Sequence, residues 1–177
     1  MKLVLNATPL IHLTRAGLED VFSLLKGEGV QIFTTPQVLH EVLERGKHMP
    51  DAGVVRALID RGVVSVAEPK EMDFLSFLKD ISAGPMPPLH EGETEVLALA
   101  KEIGGIAIAD EKAARRVGRI AKVEVHGSLY LLVLLYKRGR MDRGEVIDAF
   151  KSMVKTGYRI SPRDFTLIME ELERLPG

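Results

Sequence analysis

The chain has 177 residues, within the range of one domain and long enough to bury a core. Hydrophobic residues make up 46% and charged residues 28%, with a formal net charge of −1, so any nucleic-acid partner must be met by a local basic patch. Cysteine is absent, which removes disulfides and thiolate metal sites.

Lys2 to Leu5 predicts a buried strand, and Asn6-Ala7-Thr8-Pro9 a turn into a helix capped by Thr8 with Pro9 at its first position. Helical spacing carries Leu10, Ile11 and Leu13 and, after Gly17, Leu18, Val21, Phe22 and Leu25. Gln31 to Thr34 predicts a second strand. Thr35-Pro36 repeats the cap-plus-proline start and opens a helix that ends near Gly46. A helix over Asp51 to Arg61, a strand over Val63 to Val66 and a helix over Glu71 to Ile81 follow.

Ala83 to Pro88 is rich in proline and reads as an internal loop rather than a domain boundary. Glu91 to Ile103 predicts a helix ending at Gly104-Gly105, Ile106 to Ala109 an apolar strand, and Glu111 to Arg119 a helix. A strand at Val123 to Val125 and helices at Ser128 to Arg138, Arg143 to Lys155 and Pro162 to Leu172 complete the chain. Strands alternating with helices imply one α/β domain over residues 1–177, in three α/β/α layers around a parallel central sheet.

The opening residues lack a basic stretch followed by a long apolar run, and Leu129 to Tyr136 is too short to span a bilayer. A cytoplasmic protein without a membrane partner is expected. Asn6 is the only asparagine, and Gln31 and Gln37 are the only glutamines. With no cysteine and many charges, that scarcity fits a thermophilic source.

Asn6 and Asp110 each follow an apolar strand, which puts both at the carboxyl edge of a parallel sheet, where ligands bind. Glu41 and Glu93 lie near the starts of helices and can face that edge. Carboxylates gathered in one place need a cation to stay ionised together, and oxygen ligands favour Mg²⁺ or Mn²⁺ over zinc. Lys112, Arg115, Arg116 and Arg119 form a basic helix face directly after Asp110, suited to phosphate. No phosphate-binding glycine loop, zinc-binding histidine pair or nucleophile elbow is present.

Leu3 to Ile11, Pro36 to Val42, Gly92 to Ala100 and Ile106 to Arg115 resemble, in order, the four motifs of PIN domains. The resemblance implies a metal-dependent ribonuclease fold that acts on RNA, is often dimeric, and includes the toxins of VapBC-type pairs with their antitoxin proteins. It also implies Glu41, Glu93 and Asp110 as metal ligands, with Asn6 at the first acidic position and Thr8 beside the metal. Glu95 and Glu111 are alternatives within their acidic pairs. Asn6 departs from the commoner Asp and brings no negative charge, so a non-catalytic RNA-binding module of the same fold is the rival expectation. The apolar helices at Leu129 to Tyr136 and Ile147 to Val154 offer surface for a homodimer, or simply core.

Overall fold

Five parallel strands form the centre of the molecule: β1 (Lys2–Leu5), β2 (Gln31–Thr34), β3 (Ser65–Val66), β4 (Ile106–Ile108) and β5 (Val125–His126), in the order β3-β2-β1-β4-β5. The computed structural model describes residues 1–45, 50–82 and 88–174. Helices α1 (Ala7–Arg15), α2 (Asp20–Gly27), α3 (Pro36–His40), α4 (Pro50–Asp60) and α5 (Met72–Ser82) accompany the first half. In the second half are α6 (Glu91–Ile103), α7 (Lys112–Ala121), α8 (Leu129–Lys137), α9 (Arg143–Lys155) and α10 (Pro162–Arg174). Helices cover both faces of the sheet, giving the three-layer α/β/α arrangement.

Leu3, Val4, Leu5, Ala107 and Ile108 are wholly buried, which is why β1 and β4 read as unbroken apolar runs: a parallel sheet hides both faces of its inner strands. The sheet registers Leu3 with Ile32 on one side and with Ile106 on the other. Helix α8 is buried from Leu131 to Tyr136 within this same chain, so its apolar surface is already spent in the core.

Several boundaries differ from expectation for identifiable reasons. Helix α1 starts at Ala7 with Asn6, not Thr8, at the capping position, because Asn6 is the last residue with extended backbone. The run through Gly17 breaks into α1 and α2. There the Leu18 N–H reaches back to the Leu13 carbonyl at 2.8 Å and Gly17 takes φ +70°, a left-handed close that glycine permits. Val63 and Val64 donate to the Leu58 carbonyl and finish α4, leaving only Ser65–Val66 to pair with β2. Val123 closes α7 on the Gly118 carbonyl in the same way, which delays β5 to Val125. The helix end near Gly46 and the loop up to residue 87 lie outside the described residues. No helix among the described residues is long and apolar enough to cross a membrane.

Candidate acidic site at the sheet switch point

Strands β1 and β4 are neighbours from which the strand order runs in opposite directions, and such a switch point leaves a crevice at the carboxyl ends. Asn6 leaves β1 there, its backbone N–H bonded to the Ile108 carbonyl at 2.9 Å. Asp110 and Glu111 leave β4 beside it. Glu111 is extended, with φ −70° and ψ 134°, and caps α7. In extended chain successive side chains point to opposite sides, and these two acids enter different cavities. A cavity of about 260 Å³ is lined by Asn6, Thr8, Glu41, Glu93 and Glu111, and a larger one of about 540 Å³ by Asp110, Lys112 and Arg115 among others.

In the smaller cavity, the Asn6 amide donates to Glu111 Oε2 at 3.2 Å, and the Thr8 hydroxyl donates to Glu111 Oε1. The amide therefore turns its own oxygen away. Asn6 Oδ1 is buried and, among the described residues, meets no hydrogen-bond donor; the same holds for Glu93 Oε1. Asn6 is 4% exposed and Glu93 3%. The other Glu93 oxygen accepts the His90 backbone N–H at 2.7 Å. Burial pushes the Glu93 carboxyl above its ordinary pKa, with the nearby charges of Glu111 and Glu41 adding to the effect and the His90 N–H opposing it.

Glu41 begins a π-helical turn, Glu41–Arg45, that continues α3; such widened turns recur where a helix must aim a side chain at a functional site. Its carboxylate rests against the first turn of α6 at Gly92. A Cβ there would stand 3.1 Å from Glu41 Oε1, 3.3 Å from Oε2 and 3.2 Å from a Val38 methyl. Glu95 accepts the Gln37 backbone N–H at 3.2 Å, so it satisfies the start of α3 and ties α3 to α6. Of the acidic pair on α6, Glu93 lines the cavity and Glu95 caps its neighbour.

Asp110 is engaged differently. Its Oδ1 accepts the Ser128 backbone N–H at 2.8 Å and the Tyr158 hydroxyl at 2.9 Å, and its Oδ2 accepts the Ser128 hydroxyl. Gly127 makes room for it, since a Cβ there would lie 2.9 Å from Oδ1. Burial and the Asp110 charge push the Tyr158 phenol well above its usual pKa, which keeps it a donor. Of the basic face on α7, Lys112 and Arg115 border the larger cavity and Arg115 lies 3.7 Å from Asp164. Arg116 is half-buried and Arg119 exposed, and neither borders the two cavities. Ser128 and Tyr158 were not singled out in the sequence. Gly127-Ser128 directly after β5 is a local hint of the first, and nothing local marks the second.

Among the described residues no three carboxylate or imidazole groups converge closely enough to hold an ion as they stand. The donor chemistry still fits a hard divalent cation. The cavity is lined by four carboxylates, Glu41, Glu91, Glu93 and Glu111, and by no lysine or arginine, and two of its oxygens, Asn6 Oδ1 and Glu93 Oε1, are buried without a donor.

A family model described as PIN domain matches residues 2–174. Endoribonuclease Nob1 of Pyrococcus abyssi (strain GE5 / Orsay) is 32% identical over 103 residues, a stretch covering 57% of this chain and 61% of that protein. The chain thus spans less than two thirds of that relative. Among solved structures, VapBC-1 from nontypeable Haemophilus influenzae aligns over 72% of this chain and 98% of its own, with a TM-score of 0.56 and 11% identity. Identity that low speaks for the shared fold alone.

Proposed function

Because the chain belongs to the PIN domain family, we propose that it is a divalent-metal-dependent endoribonuclease that cuts RNA at the acidic cavity. What carries the proposal is the pair of buried, undonated oxygens, Asn6 Oδ1 and Glu93 Oε1, in one cavity with Glu41 and Glu111. Buried polar atoms without partners are rare and call for an explanation. A bound cation would supply one that also relieves the crowding of charge around Glu93. The endoribonuclease similar in sequence supports the same class of reaction.

Asn6, Glu41, Glu93 and Glu111 would hold Mg²⁺ or Mn²⁺. Such an ion, when bound, supplies Lewis-acid stabilisation of phosphate oxygens and a more acidic water. The protein's own part is to fix the oxygens beforehand. Thr8 and Asn6 orient Glu111, the His90 N–H orients Glu93, and Gly92 lets Glu41 lie against α6. Asp110 serves here as the anchor of the β4 end, its oxygens taken by Ser128 and Tyr158, and positions Glu111 next to it. Lys112 and Arg115 would draw the RNA backbone across the crevice without reading sequence.

The test is cleavage of a mixed single-stranded RNA pool with Mg²⁺, with Mn²⁺ and with EDTA, beside a Glu41→Gln/Glu93→Gln variant. Metal-dependent cutting that the variant lacks is expected. Cutting that persists in the variant would move the site elsewhere. A second reading, an RNA-binding module without cleavage, is favoured by one observation: both Glu111 oxygens are already engaged by Asn6 and Thr8. RNA retention without cutting under any metal would decide for it.

Two further parts of the proposal concern partners. A toxin role within a toxin–antitoxin pair rests on the motif resemblance; induced expression that leaves growth untouched would count against it. A homodimer would draw on α9, whose Val154 is 45% exposed. A monomer mass by light scattering would remove it.

A further inference from the structure

The larger cavity, on the Asp110 side, enters the RNA contacts above only through Lys112 and Arg115, yet the rest of its wall is specific. His126 at the end of β5 and Tyr130 in the first turn of α8 both border it and stack on each other, ring centroids 4.0 Å apart and 12° from parallel. The His126 side chain is 37% exposed, so the stack reaches solvent. Five cations line the wall, among them Lys112 and Arg115 from the start of α7, and Arg159, which follows the Tyr158 that holds Asp110. The acids opposing them are already engaged. Asp110 receives three donors, and Asp164, 3.7 Å from Arg115, offsets that cation's charge, so the phosphate contact rests chiefly on Lys112 and Arg159. Lys137 and Arg174, also on the wall, are paired with Glu171 and Glu170 and cancel.

Rings for a base to stack on, beside cations for its phosphate, are the means by which single-stranded nucleic acid is held. Position points the same way. The acidic cavity is reached through Glu111 and this one through Asp110, so a single peptide, about 3.8 Å of chain, separates their walls. Lys112, next after Glu111, borders the cleft.

We propose that this cleft is a nucleobase subsite. It holds an unpaired RNA nucleotide beside the acidic cavity, the base on the His126–Tyr130 stack and the phosphate on Lys112 and Arg159. The proposal deepens the ribonuclease reading and rests on it for the adjacent cut, but not for the binding.

The experiment is fluorescence anisotropy in EDTA, with labelled oligouridylate and a strand of equal length whose residues are abasic. Wild-type protein should bind the base-bearing strand about tenfold more tightly, the size of one stacked base, and His126→Ala should erase that difference. His126→Phe keeps a ring and should restore it, which separates stacking from misfolding. Lys112→Ala/Arg159→Ala should weaken both strands alike and flatten the salt dependence. Equal affinity of the wild type for both strands, or a difference that survives His126→Ala, would overturn the subsite and leave the cleft to a protein segment. Base-dependent binding in a protein that cuts under no metal would sink the nuclease reading alone. Cutting with base-independent binding would sink the subsite alone.

Discussion

The Tyr158 hydroxyl donates to Asp110 Oδ1 at 2.9 Å, joining the chain after α9 to the end of β4 across 48 residues. With the two Ser128 donors, it leaves Asp110 fixed on three sides. A carboxylate held so firmly also fixes the backbone that aims Glu111.

Tyr158→Phe removes this donor from a mostly buried acceptor and should lower unfolding stability by about 1–3 kcal/mol. The urea midpoint reads it directly. A midpoint equal to that of the wild type would mean that the bond contributes nothing to holding the β4 end.

Gly92→Ala separates site geometry from stability. Alanine favours a helix over glycine by about 0.5–1 kcal/mol, but its Cβ would press on the Glu41 carboxylate and Val38. The helix gain should offset much of that crowding and keep the change in melting temperature small, while metal-dependent cleavage and Mn²⁺ affinity by calorimetry both drop. Undiminished Mn²⁺ affinity would show that Glu41 does not need that seat.

Glu93 gives the pH dependence. Burial first, then Glu111 and Glu41, raises its pKa in the folded protein. The native state therefore keeps the proton at pH values where the unfolded chain has lost it. Stability declines as pH rises from the ordinary glutamate range through the raised folded pKa. In metal-free buffer Glu93→Gln should melt higher than the wild type at neutral pH, with the gap closing in acid. A variant that melts lower at neutral pH would contradict a strained Glu93.

Asn6→Asp replaces a donor to Glu111 with a second negative charge. Without metal the variant should lose about 1–3 kcal/mol, the cost of an unmet buried polar group. Added Mn²⁺ should raise its melting temperature more than that of the wild type. Equal shifts in both proteins would argue that residue 6 does not face the cation.

Much of the frame was legible. β1 and β2 fall at their expected bounds because a buried parallel strand is an apolar run closed by turn residues, here Asn6 and Thr35-Pro36. Val63 and Val123 were less legible, since valine serves a strand or a helix close equally well and only the backbone bonds to Leu58 and Gly118 decide. Within the site, the motifs marked Asn6, Thr8, Glu41 and Glu93 without the phase of each element. Choosing between Glu93 and Glu95 requires knowing which face of α6 meets α3. Choosing between Asp110 and Glu111 requires knowing how far extended backbone persists beyond β4. Tyr158 was out of reach, because its partner is distant in sequence and near only in the fold.

The crevice is assembled from the two ends of a long sequence interval. Asn6 belongs to the first strand, Glu111 follows the fourth, and the phenol that seats Asp110 is residue 158. Synthesis delivers these groups in that order, and a chain still on the ribosome folds from its N-terminal side. The oxygens of the acidic cavity cannot meet before Glu111 has emerged, and Asp110 lacks its full set of donors until Tyr158 follows. A product of interrupted translation that stops short of α7 lacks Glu111, and one that stops short of Tyr158 lacks a donor to Asp110.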